Sequence, residues 1–217
     1  LGILREAAEW RLLGLLFECP SAAWRANVAQ VAEDVSDPEL RSAAAAALAA
    51  ADEGLYHSIF GPGGPAPPRE ATHRDTLQLG YLIAELEAFY DAFGYPQAGP
   101  EPPDHLSVEA GFAAFLKFKE AFAEAAGDTE AAAVARDAAR EFLAEHLATI
   151  AGPIATALAG CGVSYLEAAA RALARRAGPA KPRFVILDPA GAGEDSAFAC
   201  GGDPAHSETV SEEETLL

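Results

Sequence analysis

The sequence predicts an all-α fold: one helical bundle of about eight helices, followed by an irregular acidic tail. Three observations carry that prediction. Apolar residues recur every three or four positions through most of the first 178 residues, the period of a helix with one buried stripe. Alanine is abundant and comes in runs, as in Ala43–Ala47 and Ala131–Ala133, and alanine loses little entropy in a helix. No segment alternates in the two-residue period of a strand. With 217 residues, 51% of them hydrophobic, the chain is long enough for one good-sized domain, or a domain plus a tail.

The elements follow in order. Ile3 to Glu18 is leucine-rich and closes at Cys19-Pro20, where proline forbids continuation. Ser21 is the expected cap of a second helix holding Trp24, Val28 and Val31. Asp37-Pro38-Glu39 opens a third with a cap, a proline at the first helical position and an acid in the first turn. That helix is expected to run through the alanines to about Phe60. Gly61 to Glu70, almost entirely glycine and proline, reads as a surface loop. A long helix over 72–93 follows, with Leu79, Leu82, Ile83, Leu86, Phe89, Tyr90 and Phe93 at helical spacing and Gly94 as its C-terminal cap. Gln97 to Pro103 is irregular. The next helix starts near Asp104, carries Val108, Phe112, Phe115 and Phe122 on one side, and ends at Gly127. Asp128 or Thr129 begins another, holding Val134, Phe142 and Leu143, which Gly152-Pro153 is expected to kink or break before 154–159. Ser164 is the expected cap of a last helix, which ends in Arg175-Arg176-Ala177-Gly178 with cations at the negative end of its dipole.

After Gly178 the character changes, so residues 1–178 read as the helical domain and 179–217 as a tail. Phe184-Val185-Ile186-Leu187 is a short apolar run suited to an extended segment, and Asp188 to Leu217 holds eight acids and no Lys or Arg. By composition this is a flexible tail. The whole chain carries 33 Asp and Glu against 15 Lys and Arg, a formal charge of −18. Such a surface repels phosphate backbones and excludes nucleic acid as a partner. It suits a basic peptide or a basic protein face, and it also serves plain solubility. Cys19, Cys161 and Cys200 are odd in number and far apart, so neither a disulfide framework nor a zinc site is expected. With no apolar run long enough to span a bilayer, no stable membrane insertion and a cytoplasmic location are expected.

No phosphate loop, dinucleotide glycine fingerprint, serine elbow or paired-histidine metal motif occurs. His57, His73, His105, His146 and His206 never fall at ligand spacing. The expectation is a protein that is not an enzyme, with no metal and no cofactor. One constellation stands out, Glu101-Pro102-Pro103-Asp104-His105-Leu106-Ser107-Val108-Glu109. Asp104 sits where a helix cap is expected, and His105 in the first turn, where the helix dipole favours a neutral ring. Read by itself the string is an ordinary capped helix start with a half-exposed histidine.

That string also resembles the signature of the TorD/DmsD/NarJ chaperones, in which Glu, two spacers, Asp-His, three more residues and Glu open a central helix. Tyr56-His57-Ser58-Ile59-Phe60-Gly61-Pro62 resembles the family's aromatic segment before a proline-rich loop. Trp10 to Pro20 resembles its first helix, and Phe142-Leu143-Ala144-Glu145-His146-Leu147 a later one. The pieces stand in family order over residues 3–178. Departures are Ala110-Gly111-Phe112-Ala113 after Glu109, Thr149-Ile150 where a tryptophan is usual, and the absence of methionine.

The resemblance implies a chaperone that binds the N-terminal leader and apo-form of a molybdopterin-containing oxidoreductase catalytic subunit. It would hold that subunit for cofactor insertion and for assembly or twin-arginine (Tat) export. A leader with a basic front and an apolar middle asks for an apolar wall with an acidic rim. Tyr56, Phe60, Leu106 and Phe112 are the candidate wall, Glu101, Asp104 and Glu109 the candidate rim, and His105 lies between them. At helical spacing Phe112 fits a core equally well, and His146 reads as a hydrogen-bonded core residue. Both a monomer and a domain-swapped dimer, with 61–70 as hinge, fit the family. Two other readings stay open: a helical scaffold acting through its acidic tail, and a hydrolase or nucleotide-binding protein using Asp104 and His105.

Overall fold

The computed structural model describes residues 2–74, 79–97 and 99–180; the predicted tail from 181 onward, with Phe184–Leu187 and Cys200, lies outside the described residues. The chain divides into two units, Leu1–Pro182 and Arg183–Leu217. The described residues are helical, as predicted: α1 (Gly2–Leu16), α2 (Trp24–Asp34), α3 (Pro38–Ala50), α4 (Glu53–Phe60), α5 (Leu79–Phe93), α6 (Leu106–Ala126), α7 (Thr129–Phe142), α8 (Ala148–Leu158) and α9 (Ser164–Ala177). A π turn at Leu143–Leu147 joins α7 to α8 without a break, and a 3₁₀ turn occupies Glu70–His73. Among the described residues no strand forms beyond one isolated antiparallel bridge, Arg69 to His105.

The centre of the bundle is α1 packed along α6. Leu12, Leu13, Leu15, Leu16 and Phe17 are all buried, and a helix end that is apolar on every side must sit inside. Gly14 lets the two helices close up, since a Cβ there would stand 3.0 Å from the Ser107 carbonyl oxygen. On its other flank α6 packs against α7, while α8 and α3 pack against α9. Phe112 joins Tyr90, Tyr95 and Phe142 with ring centroids 4.8, 5.3 and 4.7 Å away.

Several helix signals act where the sequence placed them. Asp37 accepts the Glu39 and Leu40 amides, Asp128 accepts that of Ala131, and Gly127 closes α6 at φ 75°. After α5 the Gly94 amide donates to Asp91 and the Tyr95 amide to Tyr90, with Gly94 at φ 65°, the paired bonds of a Schellman ending.

Five local expectations are corrected. The third helix does not reach Phe60. It stops at Ala50, and α4 starts afresh with Asp52 accepting the Leu55 amide. The stop is tertiary, because the Arg25 guanidinium reaches across to the Leu48 and Ala51 carbonyls. Ser21 does not cap α2 with its side chain; its carbonyl accepts the Trp24 amide, and Trp24 is fixed by its own Nε1 donating to Leu15 at 2.7 Å. The helix expected from 72 starts later, since Glu70–His73 is a 3₁₀ turn and Arg74 is extended. Pro153 lies inside α8 without breaking it. The irregularity falls earlier, at the π turn, where the Glu145 carbonyl accepts Arg74 Nη2 and the Thr149 hydroxyl, and an inserted side-chain donor is a recognised cause of such a widening. Finally, Ser164 is the first residue of α9 and not its cap; the Glu167 carboxylate reaches back to the Gly162 amide instead.

Two apolar assignments also change. Phe122 and Val134 are 68% and 54% exposed, so neither belongs to the core.

Candidate functional site

Asp104, His105 and Glu109 of the motif at the start of α6 are buried. Asp104 does not cap the helix. Its carboxylate takes Arg69 in a bidentate grip, with Nε and Nη2 at 2.9 and 2.6 Å from Oδ1, and also accepts the Ala71 amide at 3.3 Å. A charge-assisted pair of this kind outweighs the roughly 1 kcal/mol of a cap. The cap passes to His105, whose Nδ1 accepts the Ser107 amide at 3.2 Å. Because that amide can only donate, the neutral ring carries its proton on Nε2 and gives it to the Tyr56 hydroxyl at 3.1 Å. The Glu101 carboxylate lies 3.7 Å from the same ring nitrogen. His105 is 2% exposed, not half-exposed. Burial pushes its pKa down to about 4; the Asp104 charge raises it and the Arg69 charge lowers it, and burial prevails. Burial, with Glu101 and Cys19 beside it, pushes the Tyr56 phenol up.

Backbone bonds fasten the glycine–proline loop to the same place. The Glu70 amide donates to the Asp104 carbonyl at 2.8 Å, and the Leu106 amide to that of Pro68 at 2.9 Å. Behind them lies a second polar group that the sequence did not single out. Glu70, fully buried although it sits on a loop, binds the Arg74 guanidinium and lies 3.1 Å from His146 Nδ1. His146 is the buried, hydrogen-bonded residue expected of it, with Phe89 and Phe142 rings at 5.6 and 4.9 Å. Glu109 completes the cluster. It is 0% exposed, and neither oxygen has a hydrogen-bond donor among the described residues. Burial raises its pKa well above the carboxylate range, and the Glu70 and Asp104 charges add to the rise.

The expected wall and rim are therefore not an open groove here. Leu106, Phe112, Asp104 and Glu109 have no exposed surface, and Tyr56 and Phe60 keep 7% and 6%. The placement of Asp104 and Glu109 on a rim is corrected: both turn inward, Asp104 toward Arg69 and Glu109 toward Glu70 and Arg74. Glu101 keeps 26% of its side chain open, and Glu18 and Glu53 share its neighbourhood around Cys19. Glu70 and Arg74 were missed because their partners lie 76 and 72 residues away. The available signal was an oppositely charged pair at helical spacing, Glu70 and Arg74, directly after the glycine–proline run.

The surface opens elsewhere. A groove of about 860 Å³ runs between α1, the end of α2 and the middle of α6, walled by Leu4, Ala8, Val31, Tyr95, Phe115 and Phe118. Its floor depends on Gly111, where a Cβ would stand 2.5 Å from the Tyr95 hydroxyl. Leu4 and Phe118 are 46% and 52% exposed. Arg5 lines one side, Glu33 and Asp34 the other, and none of the three makes an ion pair among the described residues. A smaller cleft of about 500 Å³ lies beyond it, beside Phe122 and Val134. Among the described residues no cluster could hold a metal ion, and no helix is long and apolar enough to cross a membrane.

With motif, loop and later helix brought to one place, the comparison with protein families is decisive: the family model described as nitrate reductase delta subunit matches residues 19–155. The chain belongs to the nitrate reductase delta subunit family. That family is part of the TorD/NarJ group of molybdoenzyme chaperones, whose members are maturation factors and not enzymes. The delta-subunit family implies a role in maturing a molybdoenzyme and an interaction with a nitrate-reductase-like catalytic subunit. No curated protein matches the chain. The match ends before α9 and begins after α1, yet both helices are built into the same core.

Proposed function

We propose that this delta-family chain holds the N-terminal leader of its client's catalytic subunit, in the apo-form, until cofactor insertion and assembly or Tat export. The observation that carries this reading is the groove between α1, α2 and α6, an exposed apolar trough with unpaired charges of opposite sign on its two sides. An isolated apolar patch of that kind marks a binding surface, and its form suits an amphipathic segment laid along it. The leader's apolar middle lies on Phe115 and Phe118, and its basic front faces Glu33 and Asp34. Of the eight motif and aromatic residues, Glu101 is the most open and is assigned to the leader's arginines. Tyr56, Phe60, Asp104, His105, Leu106, Glu109 and Phe112 hold the head of α6, and with it the wall of the groove. The protein acts in the cytoplasm, where cofactor insertion precedes export.

Calorimetric titration of the full chain with a synthetic leader peptide tests this. Phe118→Glu should weaken binding at least about tenfold, the scale of one interface anchor, with no change in the melting curve. Unchanged affinity would move the site away from the groove. A wild-type chain that retains the apo-subunit but ignores the peptide would show that the leader is not what it holds.

A further inference from the structure

The hairpin of α6 and α7 presents a second apolar surface, separate from the groove. It is the cleft beside Phe122 and Val134, and it shares no lining residue with the groove. On α6, Lys119, Phe122, Ala123 and Ala126 recur at three- and four-residue steps and so lie on one face. On α7, Ala131, Val134 and Ala135 do the same on the facing side of the cleft. Phe122 stands out at 68% exposure, beside a hollow of about 500 Å³ lined by alanines of both helices. A projecting ring thus sits next to a space that admits a ring. The charges are arranged in the same way. Lys119 comes one turn before Phe122, whereas Glu130 lies beyond it, past the turn at Gly127. Lys119 Nζ rests 5.1 Å from the Phe115 ring centroid, and among the described residues neither Lys119 nor Glu130 forms an ion pair.

We propose that this cleft pairs two copies of the chain about a two-fold axis, with Phe122 of each seated in the other's hollow and Lys119 facing the partner's Glu130. A surface that carries both knob and hole, and both cation and anion, is complementary to itself. A half-turn is the operation that brings each to its opposite, and this is the reason for a second copy as occupant. The two hairpins then stack as four packed helices, and the alanines let them approach. Two exposed apolar side chains and a narrow cleft fall short of the roughly 800 Å² per partner of a standard interface. The pair is therefore weak and reversible, with a Kd above about 1 µM, and a dilute chain is single. At about 0.15 M salt, charges farther apart than about 8 Å are largely screened, so the chain's formal charge of −18 does not forbid it. Because cleft and groove share no lining residue, the pairing and the leader-binding reading stand or fall separately.

Sedimentation equilibrium of the full chain, without client or peptide, tests this from about 1 to about 300 µM. The apparent mass should rise from one chain to two with concentration. Phe122→Ser should weaken the pairing at least about tenfold and leave the circular dichroism spectrum unchanged. Lys119→Glu and Glu130→Lys, each measured alone, should also weaken it at least about tenfold, because each sets like charges against one another. Mixed in equal amounts, those two variants should pair at least about tenfold more tightly than either does alone, since both contacts between unlike copies then join opposite charges. A wild-type chain that stays single throughout overturns the proposal. So does a dimer indifferent to Phe122→Ser, which an exchange of helices hinged at 61–70 would give, and so does a mixture no tighter than its components. If the chain stays single and Phe122→Ser abolishes capture of the apo-subunit, the cleft belongs to the client and the pairing is equally overturned.

Discussion

The two halves of α6 solve opposite problems. Its first turn and the residues leading into it bury Asp104, His105 and Glu109, groups that ordinarily seek water. Its second half turns Phe118 and Phe122 outward at 52% and 68% exposure, residues that ordinarily avoid it. A helix serving stability alone would reverse both. Buried charges are a poor source of net stability, but they tie distant segments into one geometry and punish any other. Exposed aromatics add nothing to the folded chain and leave surface for another one. One end of the helix is bracing, and the other is contact surface.

That contrast can be broken or sharpened by single changes. The largest effect is expected from Arg74→Met, which strands the fully buried Glu70 charge and should lower stability by about 3–5 kcal/mol in urea denaturation. Asp104→Ala should cost about 3 kcal/mol, because Arg69 and the Ala71 amide lose their acceptor together. A loss near 1 kcal/mol in urea melts would mean that it acts as a mere cap. Acid sharpens the same end. The folded His105 pKa, about 4, lies below the 6.5 of a free ring, so its contribution is present above about pH 6.5 and lost as pH falls towards 4. At about 1.4 kcal/mol per pH unit this is a fall of roughly 3 kcal/mol, and His105→Gln should remove that slope from a pH series of melts. At the other end of the helix Phe122→Ser should shift stability by no more than about 0.5 kcal/mol. A clear destabilisation there would show that the aromatic face is structural after all.

Helix ends were legible wherever the deciding partner lies within a few residues. Asp37, Asp128, Gly94, Gly127 and the stop after Ala177 all close on neighbours. Misreadings occurred where a side chain from elsewhere intervened. Arg25 ends α3, Arg69 takes Asp104 away from its cap, and Arg74 reaches the Glu145 carbonyl at the π turn. The motif stood out in the sequence, but its orientation did not. Asp-His followed by Glu reads alike on a rim or in a core, and only the partners at Arg69, Glu70 and Tyr56 tell the two apart.

The amino-acid sequence determined by itself that the described chain is helical, where most helices stop, and which short string leads into α6, because period, capping and proline geometry act over a turn or less. Only the tertiary structure decided that the string faces inward, that a loop glutamate is among its most buried neighbours, and that the open apolar surface lies farther along the same helix. Those outcomes depend on which charges meet across 35 to 76 residues of chain, and no local pattern carries that distance.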